Sequence, residues 1–395
     1  MIFLQFAFGA SAGFCTVTSC FVGARDSAGV RRSMATQIVL SAALTAVLTA
    51  LALALLDPML AWINVTPASG EVYRAAYTYC AILFGGIGAQ LFYNFICSFL
   101  RSMGDSATPL AFLLFSTILN VGLDLLFILS FHWGVAGAAI ATVISQVASC
   151  AFVLCVLFGK HIEVPITFGG YDLKVIGRVT SIGMSAFLII LFDNVMLISL
   201  NMMLQRYGGD NSDMLLTCNT IVQSFELLIT MPLGGLTMGT QTILGYNLGA
   251  RRPEKILRAQ RYIFVIAVSF CALMTLAAQT IPHLFAGIFT KEPEYIAMTA
   301  RLIRIYTLGT VLLGMQYEIV DGFTGMGVVK IALPLSVFRK VVFFACIFIL
   351  PRFLPIEQIF FCEPISDIFP PLVSILVYAL TIKRVINRGP QKQTA

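Results

Sequence analysis

The sequence Gly245-Tyr-Asn-Leu-Gly-Ala-Arg-Arg-Pro-Glu-Lys-Ile-Leu-Arg-Ala-Gln-Arg261 is a short basic stretch that closes one long apolar run and opens another. A fainter copy, Phe21-Val-Gly-Ala-Arg-Asp-Ser-Ala-Gly-Val-Arg-Arg32, lies 226 residues upstream when the Gly-Ala-Arg triplets are aligned. A second pair, Leu100-Arg-Ser-Met-Gly104 and Phe323-Thr-Gly-Met-Gly327, is separated by 223 residues. Because two independent pairs share nearly one offset, the sequence predicts a duplicated unit.

The composition is that of a membrane protein. Of the 395 residues, 58% are hydrophobic and only 11% are charged, and the mean hydropathy is +0.91. Soluble proteins carry roughly 25% charged residues, so a soluble globule is excluded, and the net charge of +6 does not indicate a nucleic-acid partner. The ten cysteines form no C-x-x-C pair, so we expect them to be small apolar side chains without a metal or cofactor.

The apolar runs are long enough for transmembrane helices. A helix needs about 20 apolar residues to span a bilayer, and eleven runs reach that length. They lie near residues 2–22, 37–62, 77–99, 108–130, 134–158, 179–204, 215–245, 261–288, 299–321, 331–350 and 365–382. The sequence therefore predicts an all-α polytopic membrane protein.

The duplication predicts two lobes of unequal length. In the second copy a complete helix, near 179–204, precedes the helix that ends in the Gly-Ala-Arg loop, whereas the matching position of the first copy falls before Met1. We therefore expect an N-lobe at 1–159 that lacks its first helix, and a C-lobe at 179–384. A cytoplasmic linker at 160–178 joins them, and a cytoplasmic tail follows at 385–395. An even number of helices in each complete half predicts a pseudo-twofold axis along the membrane normal.

The basic residues predict the orientation. Most of the 25 Lys and Arg residues lie in the loops that follow the odd-numbered runs or in the C-terminal tail. Since cytoplasmic loops carry the excess of Lys and Arg, we expect the tail in the cytoplasm and Met1 outside, in the cell (inner) membrane.

Acidic residues within the apolar runs are the first candidates for function: Asp124, Asp193, Glu226, Glu318 and Asp321. Each would cost at least about 2.5 kcal/mol at the bilayer centre if it faced lipid, so we expect them to face a cavity or the helix bundle. For Asp124 and Asp321, a position at a helix end, where the side chain reaches the lipid headgroups, is as plausible as a position facing a cavity or the bundle. Glu318 and Asp321 share a helix face, which suits a proton relay. Two others, Asp57 and Asp367, lie near the ends of runs, where we expect interfacial positions.

Two further groups of polar residues stand inside the runs. Asn120 and Asp124 are four residues apart, and with Thr142 of the next run they would form an oxygen-rich cation site or, equally, helix–helix hydrogen bonds. Arg339 and Lys340 lie in the middle of the tenth run. We expect Arg339 to be a buried counter-ion for Glu318 or Asp321.

Two glycine-rich stretches are better explained by packing than by chemistry. Gly9-Ala-Ser-Ala-Gly13 fits the G-x-S-x-G pattern of hydrolases, but no histidine inside the runs pairs with its serine. Small residues in this stretch and in Gly234-Gly-Leu-Thr-Met-Gly239 predict close helix–helix contacts instead. A membrane-embedded hydrolase is therefore disfavoured, and we expect no enzymatic activity.

Several stretches, taken in order, resemble MATE (multidrug and toxic compound extrusion) transporters, and among them the bacterial MepA-like branch. In the first half these are Phe99-Leu-Arg-Ser-Met-Gly-Asp105 with Thr108-Pro109, Asn120-Val-Gly-Leu-Asp124, and Gly134-Val-Ala-Gly-Ala-Ala139. In the second half they are Tyr207-Gly-Gly-Asp210, Met231-Pro-Leu-Gly-Gly-Leu236, Gly245-Tyr-Asn-Leu-Gly-Ala-Arg251, Leu335-Ser-Val-Phe-Arg339 and Pro364-Ile-Ser-Asp367. The resemblance covers essentially the whole chain.

The resemblance implies two six-helix lobes around a cavity that opens alternately to either side, with about eleven helices present here. It implies cation coupling at Asn120, Asp124 and Thr142, and the acidic residue of the family's first helix has no counterpart in this sequence. In the C-lobe, Asp193 and Glu318 are candidates by helix and not by a matched motif. With Glu226, Asp321 and Arg339 they are the candidate residues of the substrate cavity.

The favoured function is secondary active efflux of drugs and organic cations by antiport against H⁺ or Na⁺. The expected partners are lipophilic cationic small molecules and the lipid bilayer, and the chain is expected to act as a monomer. One alternative is a flippase for lipid-linked sugars from the related superfamily, whose cavity should be lined with cations. Another is a truncated, inactive MATE homologue.

Overall fold

The computed structural model describes residues 2–62, 65–158 and 173–388, in which helices are the only regular elements. The chain divides into two compact units, Met1–Phe187 and Leu188–Ala395, and the division falls inside one long helix. The lobe boundaries expected from the sequence stay a prediction. Most of the expected linker and tail, at 160–172 and 389–395, lies outside the described residues.

In its described residues, unit 1 contains seven helices and the first part of an eighth. They are α1 (Ile2–Gly23), α2 (Ser27–Ala54), α3 (Leu56–Trp62), α4 (Glu71–Gly85), α5 (Ile87–Ser102), α6 (Ala107–Leu125), α7 (Gly134–Phe158) and the beginning of α8 (Leu173–Tyr207). A five-residue π-helical segment, Leu126–Ser130, extends α6.

Unit 2 contains the rest of α8 and seven further helices. They are α9 (Ser212–Gly249), α10 (Pro253–Thr280), α11 (Pro282–Phe289), α12 (Pro293–Tyr306), α13 (Thr310–Gly325), α14 (Val329–Phe353) and α15 (Cys362–Arg388). Short 3₁₀ turns join α8 to α9, α12 to α13 and α14 to α15.

The predicted transmembrane character is confirmed. Ten helical segments of the described chain are long and apolar enough to cross a membrane, and α1 corresponds to the remaining predicted run. Leu110, Leu113, Leu114 and Ile118 on α6 are all more than half exposed. An apolar face of this kind requires a lipid neighbour, so this is a multi-pass membrane protein.

The two Gly-Ala-Arg loops have the same conformation. After α1, the amides of Ala24, Arg25 and Asp26 donate to the carbonyls of Cys20, Val22 and Phe21. After α9, the amides of Ala250, Arg251 and Arg252 donate to the carbonyls of Tyr246, Leu248 and Asn247. Every donor and acceptor is displaced by 226 residues. Both arginines of the triplets have left-handed backbones, with φ of 57° at Arg25 and 53° at Arg251.

The second pair of loops repeats in the same way. After α5, the amides of Met103, Gly104 and Asp105 donate to the carbonyls of Phe99, Arg101 and Leu100. After α13, the amides of Met326, Gly327 and Val328 donate to the carbonyls of Gly322, Thr324 and Phe323. Positive φ values of 95° at Gly104 and 77° at Gly327 explain the glycine at both positions. The local structure thus matches what the predicted duplication requires.

The packing explanation holds at Gly13 and is wrong for the second glycine-rich stretch. A methyl group at Gly13 of α1 would lie 2.6 Å from the Val179 carbonyl oxygen of α8, so glycine permits that contact. At Gly234 and Gly239 of α9, by contrast, no described atom of a neighbouring segment comes within 4 Å of an added methyl. Those glycines therefore do not mediate a close helix contact.

Candidate functional site

Buried charges gather around Arg339 of α14 in unit 2. Its Nη1 atom lies 2.5 Å from Oδ1 of Asp367 and 3.1 Å from Oε1 of Glu363. Nη2 lies 3.9 Å from Oδ1 of Asp193 on α8. The next residue, Lys340, contacts Asp193 through its ammonium group. We call these five residues the Arg339 cluster.

Helix geometry explains how the Arg339 cluster forms. Glu363 and Asp367 are four residues apart and therefore share one face of α15, where both reach the same guanidinium. Arg339 and Lys340 are consecutive on α14, so their side chains leave the helix in different directions. This divergence lets α14 contact α15 through Arg339 and α8 through both cations.

The structure corrects two expectations about these residues. Asp367 is not interfacial, because it is only 1% exposed and is bound to Arg339. Arg339 is not the counter-ion of Glu318 or Asp321, since the ion pairs found for it in the described chain go to other carboxylates. The sequence placed all these residues on neighbouring helices, but the pairing depends on how each helix is rotated.

Glu226 of α9 faces the Arg339 cluster across a small cavity of about 10 Å³. The cavity is lined by Glu226, Ile229, Tyr306, Thr307, Thr310, Leu313, Glu363 and Asp367. The Tyr306 hydroxyl accepts a hydrogen bond of 2.9 Å from Nε2 of Gln223, which leaves its own proton free to be donated to Glu226. Three acidic side chains and three hydroxyls therefore converge on one space.

Carboxyl groups outnumber cations in this region. Asp193, Glu226, Glu363 and Asp367 supply four carboxyl groups, whereas Arg339 and Lys340 supply two positive charges. An unpaired carboxylate in a buried site is costly unless it is neutralised. The region is therefore suited to take up protons or a further cation.

Asp321 and Glu318 of α13 have different surroundings. Asp321 accepts hydrogen bonds from the hydroxyl of Thr237 and from Nε2 of Gln241, the latter at 3.1 Å. Both donors belong to α9, so Asp321 ties α13 to that helix. Glu318 is 0% exposed, and neither of its carboxyl oxygens has a hydrogen-bond partner in the described part of the chain.

In unit 1 the structure brings two of the three predicted coupling residues together. Nδ2 of Asn120 on α6 lies 3.5 Å from Oγ1 of Thr142 on α7, at the limit of a hydrogen bond. Asp124 lies one turn further along α6, and its buried Oδ1 finds no hydrogen-bond partner among the residues described. The Thr142 hydroxyl donates to the Ala138 carbonyl at 3.0 Å, which leaves its lone pairs facing Asn120.

Sequence reasoning missed Glu363, Tyr306 and the α9 donors to Asp321. Glu363 stands at the start of the last helix, just before the apolar run predicted from 365. The spacing of Glu363 and Asp367 was the available signal, because two carboxylates on one helix face indicate a shared cation. Within the described residues, three or more His, Cys, Asp or Glu side chains nowhere come together as a metal site.

Comparison with known proteins gives the family. The MatE family model matches residues 1–126 and 185–349. The chain is 24% identical over 383 residues to the multidrug export protein MepA of Staphylococcus aureus strain MRSA252, covering 96% of this chain and 82% of that protein. It is 22% identical over 325 residues to MepA of Staphylococcus saprophyticus, covering 82% and 71%.

Solved structures agree on the fold. A crystal structure of MATE in complex with MaL6 superposes with a TM-score of 0.90 at 23% identity, covering 98% of this chain and 87% of that one. An outward-facing multidrug resistance MATE transporter of the MOP superfamily also gives 0.90, at 23% identity and with 98% and 86% covered. Since the family model matches well over half of its residues, this chain belongs to the MatE family of transporters, in its MepA-like branch.

Proposed function

We propose that this protein is a secondary active exporter of lipophilic cationic small molecules, which it exchanges for H⁺ or Na⁺ by alternating access of its two halves. Membership of the MatE family supports the transport class. The names of the relatives, multidrug export proteins, support the substrate class. We further propose that it acts as a monomer in the cell membrane with its C-terminal tail in the cytoplasm.

The observation that carries the proposal is the excess of carboxyl groups around the cavity beside Glu226. Of the four carboxyl groups, Glu363 and Asp367 are buried, Glu226 is half-buried and Asp193 is 42% exposed. A site with four carboxyl groups and two fixed cations attracts a cation and disfavours an anion. A flippase for lipid-linked sugars would need more cations than carboxyl groups in its cavity, because its substrates carry anionic headgroups. The charge balance therefore favours export of cations.

The size of the cavity favours an ion over a whole drug. Pockets for drug-sized ligands measure about 300–1,000 Å³, whereas this cavity measures only about 10 Å³, which is about the space that one water molecule needs. We therefore propose that Glu226, Glu363 and Asp367 take up the coupling ion or the charged group of a substrate. The bulk of a drug would lie elsewhere.

We propose a second coupling site in unit 1 at Asn120, Asp124 and Thr142. These residues supply a carboxylate, an amide oxygen and a hydroxyl, and such oxygens are the ligands of hard cations. Asn120 and Asp124 are one turn apart on α6, and Thr142 belongs to α7. The contact of Asn120 with Thr142 supports the grouping. Protonation or Na⁺ binding at Asp124 would shift the conformational equilibrium if the two conformations bind that ion with different affinities.

Transport in proteoliposomes tests the proposal. We expect the purified protein to move ethidium, a lipophilic cation, when a proton or sodium gradient is imposed. We expect Asp124→Asn and Glu226→Gln to abolish gradient-driven transport while the protein stays folded by circular dichroism. Asp57→Asn is the matched control, because Asp57 is exposed and bonds to Tyr73, and it should transport normally.

Two results would contradict the proposal. Unimpaired gradient-driven transport by both Asp124→Asn and Glu226→Gln would remove the coupling role of these carboxyl groups. Translocation of an anionic lipid-linked sugar without any response to ethidium would favour the flippase instead.

A further inference from the structure

We propose that Glu318 forms a proton-binding site with Gln260 and Tyr378, separate from the Arg339 cluster and from Asp124. The three residues belong to α13, α10 and α15 of unit 2, and none of them lines the cavity beside Glu226. The use of this site in transport rests on the proposed exporter function, whereas the binding of a proton to Glu318 is independent of that function.

Glu318 is a buried carboxyl group without a counter-charge. It is 0% exposed, and in the part of the chain that the structure describes neither Oε1 nor Oε2 has a hydrogen-bond partner. An ionised carboxylate in such a place loses its hydration, and no hydrogen bond or counter-charge compensates for that loss. The group is therefore stable as the neutral acid, and its ionisation requires a rearrangement around it.

Gln260 provides a hydrogen-bond donor for this rearrangement. Its side chain is 1% exposed, and its Oε1 accepts a hydrogen bond of 2.8 Å from the Tyr378 hydroxyl. That bond orients the amide so that Nε2 is the free end, and no described residue accepts from it. An N–H group stabilises a carboxylate more than it stabilises a carboxylic acid.

Gly322 keeps the space between these groups open. A methyl group built on Gly322 would lie 2.8 Å from Nε2 of Gln260 and 3.6 Å from Oε1 of Glu318. Both atoms therefore border the same small space, with the Leu244 side chain on another side at 3.6 Å. The Gln260 amide and the carboxyl group approach each other only if that space stays empty.

Other charged groups do not compete for Glu318. On its own helix, Asp321 is held by Thr237 and Gln241 of α9, and its like charge one turn away disfavours the ionised form of Glu318. On α14, the ion pairs of Arg339 and Lys340 go to Asp193, Glu363 and Asp367. From α15, Tyr378 faces the site, and the rings of Phe264 and Phe323 pack against that tyrosine.

The ligand is a proton and not a metal ion. Na⁺ needs several oxygen ligands, but the amide presents nitrogen to Glu318 because its oxygen is bonded to Tyr378. The Tyr378 hydroxyl has already donated its proton to that oxygen. The two oxygens of Glu318 alone do not replace the hydration shell of a sodium ion.

Infrared spectroscopy of the full-length protein in lipid nanodiscs tests this site. In difference spectra between mildly acidic and alkaline pH, we expect a carboxylic-acid C=O band that disappears in Glu318→Gln. The band should persist in Asp321→Asn, the matched control one turn away on α13. Gly322→Ala should shift the pH at which the band titrates, whereas Gly234→Ala, which has open space around it, should not.

Each outcome decides the proposal. Glu226, Glu363 and Asp367 can contribute carboxylic-acid bands of their own, so the decisive signal is the component that is lost in Glu318→Gln. The proposal is overturned if the wild type and Glu318→Gln give the same band at every pH. It is also overturned if the component that differs between them does not change with pH, or responds to Na⁺ at constant pH. Because glutamine is isosteric with the neutral acid, Glu318→Gln should fold, and Glu318→Asp provides a second variant that keeps the titrating group. If the band behaves as expected but ethidium is not transported by the wild type, the exporter function fails and the proton site stands.

Discussion

Replacing Arg339 by methionine should strongly destabilise unit 2. The guanidinium is bound to Asp367 at 2.5 Å and Glu363 at 3.1 Å, and these carboxylates are 2% and 3% exposed. Removing one partner of a buried ion pair leaves an uncompensated charge and costs about 3–5 kcal/mol. Lys340 does not replace the lost charge at these atoms, because it is bound to Asp193.

A surface pair of the same length provides the control. Arg301 lies 3.1 Å from Glu357, but the two side chains are 61% and 35% exposed. Exposed pairs of this kind contribute about 0–1 kcal/mol. Arg301→Met should therefore change the free energy of unfolding by no more than about 1 kcal/mol, although the same side chain is removed.

The measurement is equilibrium unfolding in detergent micelles, monitored by circular dichroism. This signal is suitable because the regular elements of the described chain are all helical. If Arg339→Met and Arg301→Met have equal unfolding free energies, the Arg339 cluster does not hold α14 to α15 and the reasoning is wrong. Adding Glu363→Gln and Asp367→Asn to Arg339→Met should recover part of the loss, since no unpaired charge then remains buried.

Two further predictions concern the contact of α9 with α13. Gly325→Ala should destabilise by about 1–3 kcal/mol, because its methyl would lie 2.6 Å from the Cα of Gln241 and the two helices must separate. In the same unfolding assay Gly239→Ala should instead stabilise by about 0.5–1 kcal/mol, since open space surrounds that glycine; equal effects would contradict the packing argument. Thr237→Val should cost about 1–3 kcal/mol by removing the hydroxyl that donates to Asp321, and an unchanged unfolding free energy would refute that role.

The helices and the repeated loops could be predicted because their signals are local. A run of about 20 apolar residues is sufficient for a membrane-spanning helix. A Gly-Ala-Arg triplet repeated at a fixed offset was sufficient to predict two equivalent loops. The loop hydrogen bonds after α1 and α9 match residue by residue, since each such loop is closed by atoms only a few positions apart.

The pairing of charges could not be predicted in the same way. Arg339 and Asp367 are 28 residues apart, and their contact depends on the rotation of α14 against α15. The sequence offered Glu318 and Asp321 as equally reasonable partners. Hydropathy also placed Asp367 at the edge of a run, because the 3₁₀ turn Ile356–Phe361 and the start of α15 add turns that composition does not reveal.

Ion binding would affect helix contacts differently at the site predicted from family resemblance in unit 1 and at the cluster found in unit 2. Asn120, Asp124 and Thr142 connect α6 with α7 through one weak hydrogen bond, so an ion bound there would add contacts. In the Arg339 cluster the carboxylates already hold α14 to α15. A proton or cation taken up by Glu363 or Asp367 would therefore compete with Arg339 and weaken an existing contact. A ligand shifts a conformational equilibrium only through its different affinities for the two states, and competition with an internal cation supplies that difference.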